Sequence, residues 1–288
     1  MNLYKYLPPA RVDVLEKLQI RFSPALSVND AFELKRVMKG WASEEVAKEI
    51  LVHGLERKFQ VADTPEKMLQ MATKNHPEAE ARFRANMKIL GPEEWLRLMN
   101  SIAEQSFEGA VPRLHHQIEQ NWETISAEFS RKLRTDIGIL SLSEDSGHPV
   151  MWGNYADSSR GVVVGFDEQH PWFHQRRSEN DDFCHLRKVA YIKENPKYFS
   201  ELTADDVCYS KLEVWSYEKE WRMLFPLYHG INTGTLDTFG QPVIVFAFPA
   251  ACIKEVIIGS RATDELSQRI REACKKLPNP IVPSRGTR

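Results

Sequence analysis

The sequence predicts an α+β fold, a mixed and mainly antiparallel sheet interrupted by a large helical insertion. Three observations lead there. Residues 41–135 keep helical spacing almost throughout. From residue 136 onward the pattern changes to short apolar runs bounded by turn residues. Those runs cluster without a helix after each one, which excludes alternating βαβ units. The expected core domain is therefore 1–40 with 136–288, and 41–135 is the helical insertion.

In order along the chain, residues 12–18 have helical spacing and 19–23 read as a strand. Pro24 with Asn29 and Asp30 supplies turn chemistry, Asp30 serving as a cap. Ser43 caps a helix through Phe59, and Thr64-Pro65-Glu66 is a start signal with proline at the first helical position. Pro77 and Gly91-Pro92 open two more helices. Residues 111–134 form a long last one, with Leu114, Ile118, Trp122, Ile125 and Phe129 along one stripe. Strands are expected at Ile137–Ser143, 161–166, 188–192, 220–227, 243–248 and 255–258. Helical patches fall at 150–157, 204–212 and 263–276, and the tail after Pro278 is extended or frayed.

Composition narrows the function. No apolar run approaches the ~20 residues of a membrane span, in keeping with a mean hydropathy of −0.44. The opening residues lack an apolar signal core, so a cytoplasmic protein without membrane contact is expected. A net charge of −2 argues against wholesale nucleic-acid binding, although Arg176, Arg177, Arg187 and Lys188 form a local basic patch. Cys184, Cys208, Cys252 and Cys274 are scattered, with no zinc spacing, and suit a reducing compartment. No HExxH is present, and His115 and His116 would diverge by about 100° on a helix, so no metal is expected.

Chemistry-bearing side chains concentrate in two blocks, 151–166 (MWGNYADSSRGVVVGF) and 211–222 (KLEVWSYEKEWR). A strand over 219–227 places Glu218, Glu220 and Arg222 on one face and Trp221, Met223 and Phe225 on the other. Each residue also has an ordinary role. Glu-x-Glu-x-Arg suits an edge strand with an ion pair worth little. Arg21 can pair with Asp30 or Glu33, and the tryptophans can be core.

The opening LYKYLPPARVDVL, IRFSPALSVNDAFE, SLSEDSGHPVMWGNYADSSRGVVVGF, KLEVWSYEKEWR and IKEVIIGS, taken in this order, resemble a bacterial family known as domain of unknown function 2971. The likeness spans the first 35 residues and most of 138–260. More distantly, an arginine on an early strand, a serine strand and a late Glu-x-Glu resemble the Arg–Ser–Glu plan of ADP-ribosyltransferases. That resemblance implies Arg21 as the arginine, Ser141 or Ser143 as the serine, and Glu220, preceded by Glu218, as the glutamate.

It further implies an NAD-consuming enzyme that modifies a protein or nucleic-acid target in a toxin or phage-defence setting. Cleavage at the nicotinamide bond passes through an oxocarbenium-like ribose, which Glu220 would stabilise. Glu218 would serve the acceptor and Arg21 the pyrophosphate. Trp152, Tyr155 or Trp215 would stack on nicotinamide. GVVVGF lacks GxGxxG spacing, so no dinucleotide loop is involved. The alternatives are a non-catalytic ligand-binding or regulatory module, and a nucleotide or glycoside hydrolase using the same carboxylates. Convergence of Arg21, Tyr155 and Glu220 in one cleft would favour the enzyme readings.

Overall fold

The computed structural model describes residues 1–27, 38–59, 62–74, 76–176, 179, 183–193 and 196–286. Asn29, Asp30, Glu33 and Arg177 lie outside the described residues. The chain divides into two compact units, one comprising 1–36, 128–195 and 203–288, the other 37–127 and 196–202.

The chain opens with strand β1 (Asn2–Leu7), short helix α1 (Asp13–Lys17), β2 (Gln19–Arg21) and β3 (Ser23–Pro24). In β1, Leu3 and Leu7 turn into the main core while Tyr6 turns to a second cluster on the other face. Leu18 ends α1 in the left-handed region at φ 53°, its N–H bonded to the Val14 carbonyl.

The smaller unit is built from helices. They are α2 (Glu44–Phe59), α3 (Pro65–Thr73), α4 (Glu80–Leu90) and α5 (Pro92–Asp136), which continues into the larger unit. Thr64 caps α3 by accepting the Lys67 N–H at 3.3 Å. Trp95 is buried against Ala62, Met68 and Leu69. Ile118 and Trp122 pack on a separate cluster of Trp41, Ala42 and Ala47. Ile125 and Phe129, from the same expected stripe, are exposed. The two helices expected after Gly91 are one, because Pro112 lies inside α5. A proline removes one helical donor, and here the turns on both sides remain helical.

The larger unit continues with β4 (Ile137–Ser143), α6 (Pro149–Tyr155), β5 (Val162–Asp167), β6 (Arg187–Lys188) and β7 (Ala190–Ile192). Next come α7 (Ala204–Cys208), β8 (Ser210–Leu212), β9 (Glu220–Pro226), β10 (Ile231–Leu236) and β11 (Pro242–Ala247). The chain finishes with β12 (Ile253–Ile258), α8 (Asp264–Lys275) and β13 (Ser284–Arg285). The main sheet has the order β13-β12-β5-β1-β4-β9-β6, with β3 added on β4. Its pairings are antiparallel except β12 with β13. A three-stranded sheet runs β10-β11-β2, and β7 and β8 form a parallel pair.

The fold is thus the mixed, mainly antiparallel α+β architecture expected, with local corrections. The run 188–192 divides, β6 joining β9 and β7 joining β8. The patch 204–212 is a one-turn helix followed by a strand, and of the two states expected for the tail, extended or frayed, it takes the extended one, paired beside β12. The β5 run is apolar up to Phe166 because both faces are covered, Val162, Val164 and Phe166 clustering with Phe173, Ile270 and Cys274 on one side and Val163 with Met151 and Trp152 on the other. Gly161 is required where β5 begins, since a Cβ there would sit 2.0 Å from the Leu7 carbonyl oxygen.

One irregularity shapes the unit. β4 pairs along its whole length with β9, from Ile137 opposite Pro226 to Ser143 opposite Glu220. Its other edge pairs with β3 at Gly138 and Ile139, and with β1 at Ser143 alone. Between those contacts, at 140–142, no described strand lies against β4 on this edge.

Candidate functional site

A cavity of about 930 Å³ lies in this gap, wholly within the larger unit. Arg21, Ser141, Ser143, Tyr155, Glu218 and Glu220 all line it. Trp152 does not. It is buried against Tyr6, ring centroids 5.5 Å apart, and its Nε1 donates to the Ser146 carbonyl at 2.8 Å.

One wall carries the carboxylates. Glu218 ends a 3-10 turn, Lys219 turns left-handed at φ 45°, and β9 starts only at Glu220. The expected one-face trio is therefore a pair, because Glu218 sits off the strand. Glu220 and Arg222 do share a face, with Nε to Oε1 at 2.8 Å and Nη2 to Oε2 at 3.0 Å. Nor is this an edge strand, since β9 runs between β4 and β6. Met223 is buried on the opposite face, where Phe225 meets Phe22 at 5.3 Å.

Lys211 from β8 closes the network. Its Nζ donates to Glu218 Oε2 at 2.6 Å and to Glu220 Oε2 at 3.3 Å. Tyr155, ending α6, donates its hydroxyl to Glu218 Oε1 at 2.6 Å. Glu218, Glu220, Lys211 and Arg222 are all buried, Arg222 with 0% exposed. Burial alone would push the Glu220 carboxyl up, but the Arg222 and Lys211 charges and a Ser141 hydrogen bond hold it down at about 2. Ser143 is tied to backbone, donating to the Glu218 carbonyl at 2.7 Å and accepting the Asp145 N–H at 3.1 Å.

The other wall is basic. Arg21 stands on β2, in the three-stranded sheet, and its Nη2 donates to Asp237 in the β10–β11 turn. Among the described residues its buried Nε has no hydrogen-bond partner. Burial would raise the Asp237 carboxyl, yet hydrogen bonds from Ser27 and Arg21 bring it to about 2. Arg11 and Lys17 both reach Asp13, at 3.1 and 3.8 Å. Lys5, half-buried on β1, donates to the Ser141 carbonyl at 3.0 Å. Counting both walls, five cations face four carboxylates across the cavity.

Lys5 and Lys211 escape a reading by motif. Lys5 was nonetheless visible as the charged member of the Leu3–Lys5–Leu7 alternation, and Lys211 as the first residue of the second aromatic block. Among the described residues no group of three or more His, Cys, Asp or Glu is placed to hold a metal ion. No described helix is long and apolar enough to cross a membrane.

No curated protein and no solved structure matches this chain. Residues 151–223, which carry Tyr155, Lys211, Glu218, Glu220 and Arg222, match the model of a family described as a protein of unknown function, DUF2971.

Proposed function

We propose that the cavity binds NAD and that the protein is an ADP-ribosyltransferase-like enzyme, passing ADP-ribose to a protein or nucleic-acid acceptor. The observation that carries this reading is that Arg21, Tyr155 and Glu220, distant in sequence, line one cavity. At about 930 Å³ it falls at the upper end of the ~300–1,000 Å³ usual for small-molecule sites. Glu220 stays ionised at neutral pH and is fixed by Arg222, so its charge needs no rearrangement to stabilise a developing oxocarbenium. Glu218 and Tyr155 form a hydrogen-bonded pair from which an acceptor hydroxyl or amine can be oriented.

A second reading, a ligand-binding module without chemistry, draws on a specific observation. Both oxygens of Glu220 are bound by the Arg222 guanidinium. A carboxylate so engaged can shape a pocket without reacting. The test is incubation with NAD, reading nicotinamide release and labelling of added protein or RNA. Release that is lost in Glu220→Gln supports the transferase. NAD binding without release supports the module, and a protein that neither binds nor consumes NAD overturns the transferase reading and favours a module for another ligand.

A further inference from the structure

Among the described residues, one side-chain hydrogen bond crosses the opening between β1 and β4. Lys5 reaches across it to the carbonyl of Ser141, a residue 136 positions away. Its neighbours on the same face of β1 are Leu3 and Leu7, both in the apolar core. An ammonium group has three donors, and a single neutral carbonyl satisfies one. Lys5 differs in this from the other cations on the cavity wall. Arg11, Lys17, Arg21 and Lys211 each hold a carboxylate within ion-pair distance. Among the described residues Lys5 has no carboxylate within that distance, Glu220 and Glu218 acting on it only from farther off.

The backbone supports the same spot. In an antiparallel ladder the N–H and C=O of one residue point to the same edge. Because the Ser141 carbonyl faces Lys5, its N–H also faces the opening, where β4 has no described partner. An ammonium with spare donors beside a backbone N–H is a cradle for a tetrahedral oxyanion.

We infer that the β1–β4 opening is a phosphate subsite of the cavity, and that Lys5 binds a phosphoryl group of the ligand there. Arg11 and Arg21 add positive field on the same side, while Glu220 and Glu218 lie within electrostatic reach on the other. The ligand class is a phosphorylated nucleotide with its anionic part at Lys5 and its sugar toward Glu220. This deepens the NAD reading and rests on it for the rest of the ligand. Unliganded Lys5 is suited to the role, since burial brings its ammonium down to about 8, Glu220 opposing and Arg11 and Arg21 adding to the fall. A bound phosphate would restore the proton.

Calorimetric titration of the full chain with ADP-ribose and with inorganic pyrophosphate tests the subsite. Lys5→Gln should weaken both at least tenfold and leave phosphate-free nicotinamide riboside unaffected, while Lys5→Arg should retain most of the affinity. In the wild type at pH 8.5, titration in buffers of different ionisation enthalpy should show proton uptake on binding of ADP-ribose, whose pyrophosphate has no ionisation of its own near that pH. That readout stands even if a variant does not fold. Equal affinity in wild type and Lys5→Gln, absence of proton uptake, or a wild type that binds neither phosphate compound overturns the inference. Loss of pyrophosphate binding in Lys5→Gln, in a protein that never consumes NAD, sinks the transferase reading and keeps the subsite. NAD consumption unchanged by Lys5→Gln sinks the subsite alone.

Discussion

The two walls of the cavity handle buried charge in opposite ways. On the carboxylate wall, Glu218 and Glu220 are matched by Lys211 and Arg222, with short contacts and almost no exposure. On the basic wall, among the described residues, Lys5 holds only a carbonyl and Arg21 keeps a buried Nε without a partner. A saturated network resists change because each removal strands a buried charge. An unsaturated one gains from an added anion. The first wall therefore fixes geometry, and the second has affinity to give.

The largest expected effect separates the walls by stability. Arg222→Met leaves Glu220 buried beside a single lysine and should cost about 3–5 kcal/mol in urea unfolding. Lys5→Met, the matching cut on the other wall, should shift stability by no more than about 1 kcal/mol. Equal losses would break the comparison.

Acid titration gives the next largest effect. The folded Glu220 carboxyl is depressed to about 2 from an ordinary value of 4.5, so its contribution is present above about 4.5 and is lost as pH falls toward 2. Urea midpoints measured at pH 7, 4.5 and 2.5 should fall more steeply for the wild type than for Glu220→Gln. Parallel curves would show that the carboxylate is not held in its charged form by folding.

The smallest effect sharpens the basic wall. Asp237→Asn removes the anion that occupies Arg21. Pyrophosphate affinity should rise several-fold, at a stability cost of about 1 kcal/mol. Unchanged affinity would show that Arg21 belongs to the β10–β11 turn and takes no part in binding.

Much of the fold was legible because burial leaves a pattern. Val162–Asp167, Ile137–Ser143 and Ile253–Ile258 have apolar runs set by covered faces, and the sequence reading finds all three. Ile231–Leu236 is exposed along its whole length and has no such signal. The site was half legible. Glu218, Glu220 and Tyr155 sit in aromatic-rich blocks that draw attention, but nothing local says that Lys219 turns left-handed and takes Glu218 off the strand. Lys5 stands out as a charge in an apolar alternation, but its role was hidden for another reason. Its meaning comes from a missing partner strand at β4, and a gap in long-range pairing is not encoded in any one segment.

That gap gives the molecule a built-in reporter. Across most of the sheet, amide protons are sequestered by neighbouring strands, but cohesion between β1 and the middle of β4 rests on a lysine side chain. The Ser141 amide should therefore exchange with solvent deuterium faster than its neighbours on β4, and slow when an anion fills the opening. Occupancy of the cavity can be read at a single backbone position, with no turnover and no knowledge of the acceptor.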